Sequence, residues 1–197
     1  YSGVWVFVEQ QGGLLRNVTL ELLGEGRKLA DKLGQSLYAI LVGDDVSGLT
    51  KTLSAYGADR IVLAEDRSLK HHNADAYANI LTGLISKRRP CIVLFGATIN
   101  GRDLAPKVAA RLRVGLTADC TGLDVDEERR LVQTRPAFGG NVMASIISRT
   151  RPQMATVRPN VMKAGEPDWS REAEIERVEV QIDPQALRTR VVDVVKE

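Results

Sequence analysis

The stretch CIVLFGATINGRDLAPKVAARL, Cys91 to Leu112, decides the fold. Its first five residues are all apolar, too short a run for a helix and suited to a buried strand. Gly96-Ala97-Thr98-Ile99-Asn100-Gly101 then turns the chain. Beyond it Leu104, Val108 and Leu112 recur at four-residue spacing, which marks one face of a helix. An uninterrupted apolar strand that feeds a helix is half of a βαβ unit. Such a strand is buried on both faces, so its sheet needs helices on both sides.

The same alternation runs back to the N-terminus. Val4 to Val8, Ser36 to Val42 and Arg60 to Ala64 are compact apolar runs. Helical patterns separate them. From Asn17, Leu22, Leu29 and Leu33 share a face, with Gly26 inside and Gly34 as a stop signal. Val46, Leu49 and Leu53 follow the candidate caps Asp44 and Asp45 and end at Gly57. Tyr77, Leu81 and Leu84 follow the candidate cap Asn73, with Pro90 just beyond. Four strands alternating with four helices predict an α/β fold with a doubly wound parallel sheet.

After Gly115 the helical period is lost. Cys120 to Val125, Arg130 to Thr134, Asn141 to Ile147 and Met154 to Val157 read as strands, with turns at Asp126-Glu127-Glu128 and Gly139-Gly140. They predict an antiparallel meander or extra edge strands, so that the whole reads as a doubly wound parallel sheet with added antiparallel edge strands. Gly165 to Asp168 is a loop. Val178, Val180 and Ile182 alternate within Glu174 to Asp183, a late strand that Pro184 breaks. The tail RTRVVDVVKE carries no stop signal, and the expectation is that the chain is part of a longer one.

Composition excludes several classes. With 44% hydrophobic residues, the 197-residue chain can bury a core without disulfides, and Cys91 and Cys120 lie too far apart in sequence to suggest a disulfide framework. A net charge of +2 and 5% aromatics give no electrostatic or stacking case for nucleic acid. No apolar run approaches the length of a membrane span. His71 and His72 are adjacent with no further Cys or His at ligand spacing, so a metal site is not expected. No Ser-His-Asp arrangement, nucleophile elbow or carboxylate pair stands out. Cys91 reads as core, and nothing basic adjoins Cys120 in sequence to activate it.

Three stretches offer binding chemistry. Gly96 to Asp103 follows a strand and opens a helix, where free N–H groups suit a phosphate and Gly96 and Gly101 permit close backbone approach. It is neither a Walker A motif nor a GxGxxG, and a tight turn capped by Asn100 or Asp103 explains it better. Gln133 to Asn141, QTRPAFGGN, joins Arg135 and Phe138 to a diglycine, Gly139-Gly140, ahead of Asn141. It suits a partner or a flat cofactor, and equally a hairpin turning at Gly140-Asn141. Arg149, Arg151 and Arg158, with Pro152 and Pro159, suit an anion or a solvated edge segment.

Several stretches together resemble the N-terminal domain of the electron transfer flavoprotein α subunit. They are LELLGEGRKLADKLG (20–34), YGADRIVLAED (56–66), GRDLAPKVAARL (101–112), GLTADCTGLDVD (115–126), QTRPAFGGNVMASI (133–146) and RPQMATVRPNVM (151–162). The resemblance implies an adenine-nucleotide α-hydrolase-like α/β domain over 1–183, followed at 184–197 by a linker toward an FAD-binding domain absent from this sequence. It implies FAD in the full-length protein, held mainly by that absent domain, with none tightly bound to this chain. It implies a β-subunit partner carrying AMP or a second FAD. The whole protein would pass electrons from acyl-CoA or other flavin dehydrogenases to a quinone oxidoreductase or similar acceptor, as a carrier and not as an enzyme. Its place would be the bacterial cytoplasm or the mitochondrial matrix. Under this resemblance Arg135, Phe138, Gly139, Gly140 and Asn141 face flavin or the partner, and Gly96, Gly101 and Asp103 form a degenerate nucleotide loop. Two alternatives are a stand-alone nucleotide-binding module resembling universal stress proteins and a ligand-free interaction domain.

Overall fold

The structure, a computed structural model that describes residues 1–182, is built on a seven-stranded sheet in which every strand pair is parallel. Its first half runs β1 (Val4–Phe7), β2 (Gln10–Gln11), β3 (Leu14–Leu15), α1 (Asn17–Leu33), β4 (Leu37–Gly43), α2 (Thr50–Ala55), β5 (Arg60–Glu65), α3 (Ala74–Arg88), β6 (Ile92–Gly96) and α4 (Ile99–Leu112). The second half runs β7 (Leu116–Cys120), β8 (Gly122–Val125), β9 (Leu131–Ala137), β10 (Val142–Ile146), β11 (Gln153–Val157) and β12 (Glu174–Arg177). The sheet order is β12-β5-β4-β1-β6-β11-β7. The chain therefore winds outward from β1 on one side and resumes beside it at β6, which is the doubly wound topology expected.

Burial explains why the strands read as unbroken apolar runs. Val4, Val6 and Val8 point into a layer with Leu22, Leu29 and Leu53 of α1 and α2. Trp5 and Phe7 point the opposite way, into a layer with Tyr77, Leu81, Leu104 and Val108 of α3 and α4. Both faces are covered, so no position on β1 is left for a polar residue.

Two helix ends follow their signals. Gly34 adopts φ 58, and the Gln35 N–H returns to the Ala30 carbonyl at 2.9 Å. The Asn73 side chain accepts the N–H groups of Asp75 and Ala76. The start of α2 differs. Neither Asp44 nor Asp45 caps it; a short 3-10 turn over Ser47–Leu49 precedes the helix. Glu65, at the end of β5, instead accepts the N–H groups of Val46 and Ser47 at 2.7 and 2.9 Å. A carboxylate from a neighbouring strand end does the capping work that sequence proximity assigns to the aspartates.

The second half supplies the expected antiparallel strands as a sheet of their own, whereas the strands it adds to the central sheet are parallel and not antiparallel. β8, β9 and β10 form a separate antiparallel meander, while β11, β7 and β12 extend the central sheet in parallel. Cys120 to Val125 is not one strand. Asp119 takes φ 61 and the register against β11 shifts between Ala155 and Val157, so the chain leaves the central sheet after Cys120 and enters the meander at Gly122. The late strand is also shorter than its alternation suggests. Only Glu174–Arg177 pairs with β5, and Val178, Val180 and Ile182 pack against the α3–α4 layer. Between β11 and β12 the chain crosses the outer side of α1. The Asn160 N–H donates to Glu21, the Asp168 N–H to the Ala55 carbonyl, and Arg171 pairs with Asp59. Asp183, Pro184 and the expected linker at 184–197 lie outside the described residues.

Candidate functional site

Two cavities open at the carboxyl ends of the parallel strands, where ligands of doubly wound folds settle. The first, about 660 Å³, lies where β1 and β6 diverge, with Glu9, Arg16, Lys70, His72, Tyr77 and Thr98 among its lining residues. The expected loop Gly96 to Asp103 borders it, with different roles for its residues. Thr98 caps α4: its hydroxyl accepts the Gly101 N–H at 3.1 Å and donates to Glu9 Oε2 at 2.8 Å. Asn100 and Asp103 lie inside the helix, and Asp103 pairs with Lys107 at 2.8 Å. A Cβ at Gly101 would stand 1.9 Å from the Gly96 carbonyl oxygen, and one at Gly96 would stand 2.6 Å from Glu9 Oε1. Both glycines let strand and helix touch.

Glu9 occupies the position from which a helix start would receive an anion. It is buried, its Oε1 has no hydrogen-bond partner, and a phosphate at the first turn of α4 would meet its carboxylate. Burial pushes the Glu9 carboxyl up, against the opposing Thr98 hydrogen bond and the nearby Arg16 charge. Burial likewise pushes the His72 imidazole down, and its ring lies 4.8 Å from that of Tyr77. Among the described residues no group of His, Cys, Asp and Glu is placed to hold a metal.

The second cavity, about 680 Å³, lies beside the β9–β10 hairpin. Val142 pairs with Ala137, leaving 138–141 as the turn, so the hairpin geometry is present. Phe138, Gly139 and Gly140 adopt φ 48, 70 and 94, a left-handed run that two glycines make affordable. The turn leaves Phe138 87% exposed at its tip. β10 is uncovered on both faces: Val142, Met143 and Ile146 are exposed, as is Ile147 after it.

The floor of this cavity comes from the central sheet. Asp119, the penultimate residue of β7, and Arg158, which follows β11, line it, while Arg102 in the first turn of α4 lies outside the lining. Arg158 holds Asp119 through two bonds of 3.2 and 2.7 Å, and Arg102 approaches the same carboxylate at 3.4 Å. The Arg158 hydrogen bonds keep the Asp119 carboxyl below its ordinary range, with the Arg102 and Arg135 charges adding to the effect. Arg135 is half-buried, makes no ion pair among the described residues, and its Nε is buried without a partner. Three guanidiniums thus converge on one carboxylate.

Of the residues expected from sequence, Arg135, Phe138, Gly139 and Gly140 line this cavity together with Arg158, while Asn141, Arg149 and Arg151 do not. Asp119, Arg102 and Glu9 were not expected. Cys120 is fully buried, and burial pushes its thiol up to about 11, so it is no nucleophile at neutral pH. Cys91 is buried as core, its Sγ donating to the Tyr1 carbonyl. No helix among the described residues is long and apolar enough to cross a membrane.

Residues 4–183 match the family model described as the electron transfer flavoprotein domain. Over its whole length the chain is 50% identical to protein FixB of Clostridium saccharobutylicum, of which it covers 59%. It is 46% identical to the electron transfer flavoprotein subunit alpha of Thermoanaerobacterium thermosaccharolyticum, covering 60% of that protein. It is 41% identical to the acryloyl-CoA reductase electron transfer subunit beta of Anaerotignum propionicum, covering 61%. The chain spans about three-fifths of the length of these curated relatives.

Proposed function

Because the chain belongs to the electron transfer flavoprotein family, we propose that it serves as the N-terminal α/β part of an α subunit that carries electrons from flavin dehydrogenases, acyl-CoA dehydrogenases among them, to a quinone oxidoreductase or similar acceptor. In this reading FAD is held mainly outside these residues and supplies the redox chemistry, and the β subunit brings AMP or a second FAD. The segment 1–183 contributes a subunit interface and part of the flavin's surroundings. None of its residues acts as acid, base or nucleophile. The bacterial relatives favour the cytoplasm as its location.

The observation that carries the reading is the β9–β10 hairpin. Phe138 at its tip and a strand exposed on both faces form an apolar surface that monomers rarely leave in water. The guanidiniums behind it suit an interface or a flavin ring. The alternative of a stand-alone nucleotide module has Glu9 against it, since that carboxylate stands at the helix start a phosphate would use.

The test uses the full-length subunit produced with its β subunit. Phe138→Asp leaves the fold intact because the side chain is exposed, and weakens assembly by about 2–4 kcal/mol, the range of an interface hot spot. Dissociation is read by sedimentation and the flavin environment by its absorption band. Unchanged assembly together with an unchanged flavin band refutes the placement of the hairpin.

A further inference from the structure

We infer that Gln153 is a positioning residue for subunit recognition: its buried carboxamide, together with that of Gln133, fixes the direction in which the β9–β10 hairpin is presented to the partner. The inference rests on the reading that this hairpin meets the β subunit, and it adds what aims it.

The hairpin is rooted at the amino end of β11, and its tip stands at the carboxyl end, beside Asp119 and Arg158. Gln153 opens β11, and its N–H donates to the Cys91 carbonyl at 2.9 Å, which fastens its backbone to the central sheet. Its side chain is 2% exposed and turns toward the meander. There Oε1 accepts the Leu131 N–H at 2.7 Å, and Nε2 donates to the Ser148 carbonyl at 2.8 Å. Leu131 is the first residue of β9, and Ser148 lies two residues beyond β10. One carboxamide therefore ties the chain where it enters the hairpin and where it leaves. Gln133, fully buried on β9, reaches the Ser148 Oγ with its Nε2 at 3.5 Å. Its Oε1 is buried without a partner, so stability alone does not account for a glutamine there.

No apolar core does this work for the return strand. Val142, Met143 and Ile146 are exposed, and β10 pairs with β9 alone. β9 itself leaves β8 after Thr134. The outer hairpin has nothing beneath it to select one direction, so its direction is set at the root. Paired buried polar groups define one arrangement where apolar contacts tolerate several. The lever is long: from the Gln133–Ile146 pair to the Ala137–Val142 pair is four steps, about 14 Å at about 3.4 Å per step. A tilt of about 10° at the root moves the tip by about 2–3 Å, more than the ~1 Å by which interface backbones of pre-organised complexes shift on binding.

The test uses the full-length α subunit and its β subunit, with Gln153→Met, which keeps the volume and removes both hydrogen bonds. Hydrogen exchange in the α subunit reads the hairpin, and association with fluorescently labelled β subunit reads recognition. The amides from Arg135 to Met143 are expected to exchange about tenfold faster, the equivalent of one net hydrogen bond, while those of β1 and β4 stay unchanged. The association rate constant falls by a similar factor and the dissociation rate constant changes by less than about twofold, because only the correctly aimed fraction can bind. A role in stability alone would lower the urea midpoint and leave the association rate where it was. Gln133→Met is measured alongside and takes its place if Gln153→Met does not fold. Tip exchange that is unchanged in a folded variant overturns the positioning role and leaves the interface reading intact. A change confined to the dissociation rate overturns it as well. Faster tip exchange with an unchanged association rate overturns both, since a loosened hairpin that does not slow assembly is not the surface the β subunit recognises.

Discussion

Gly101→Ala isolates the reason for glycine at the start of α4. The added Cβ would lie 1.9 Å from the Gly96 carbonyl oxygen, where real contacts stay beyond 3.0 Å, so α4 must retreat by about 1.1 Å. The obstacle is backbone and cannot rotate away. Leu104, Ala105 and Val108 behind it are fully buried and would be drawn from the layer they fill. Overpacking of this kind costs about 1–3 kcal/mol, and the upper end applies to a backbone obstacle. Displacing Gly101 also loosens its N–H from Thr98, worth about 1 kcal/mol as a cap. Alanine's better helix propensity returns about 1 kcal/mol. The net loss is about 3 kcal/mol, or a fall in Tm of about 6–12 °C for a domain of this size. Urea unfolding of ligand-free protein measures it, with Gly83→Ala as the control. Gly83 is exposed on α3 with open space around it, so alanine there should add about 0.5–1 kcal/mol. If Gly101→Ala is as stable as wild type without ligand, close strand–helix packing is not why glycine stands there.

Glu9 and Cys120 give two further predictions. Burial raises the Glu9 pKa in the folded state above its unfolded value, so the folded chain binds that proton more tightly. Wild type accordingly loses stability as pH rises from the ordinary carboxylate range through the raised value, and the loss levels off above it. Glu9→Gln has no such proton and should be more stable than wild type at pH 7, with the gap closing as the pH is lowered. Chemical denaturation across that range checks it, and a gap that widens toward acid contradicts the assignment. The Cys120 thiol, buried and pushed up to about 11, should resist alkylation at pH 8 in the folded chain and react fully in denaturant. Rapid labelling of native protein, mapped to Cys120 by mass spectrometry, would show that its pocket opens.

The central sheet was legible because burial on both faces leaves an unmistakable mark: runs such as CIVLF have no polar side to offer. Asn73 and Gly34 were legible because their bonding partners lie within a few residues. Legibility failed where the partner came from elsewhere in the chain. Glu65 caps the turn before α2 from the neighbouring strand, and nothing in the spacing from Val46 to Glu65 advertises it. At α4, Thr98, Asn100 and Asp103 are all competent caps. The choice depends on where β6 lets go, and Glu9 settles it by accepting the Thr98 hydroxyl. The convergence of Arg102, Arg135 and Arg158 on Asp119 depends on β11 inserting between β6 and β7, a strand order that periodicity does not encode. Asp119 itself stands between Ala118 and Cys120, its left-handed backbone unannounced by any glycine.

The segment between β11 and β12 acts as a belt around the molecule. It leaves one flank of the sheet, crosses the back of α1 and fastens to the opposite flank, anchored on Glu21, Ala55 and Asp59 along the way. The marginal strand β12 and the next-to-marginal strand β11, which lie toward opposite ends of the sheet, are thereby strapped into one mechanical unit. Peeling either strand loosens the buckle of the other, so the domain should come apart in a single step and not strand by strand.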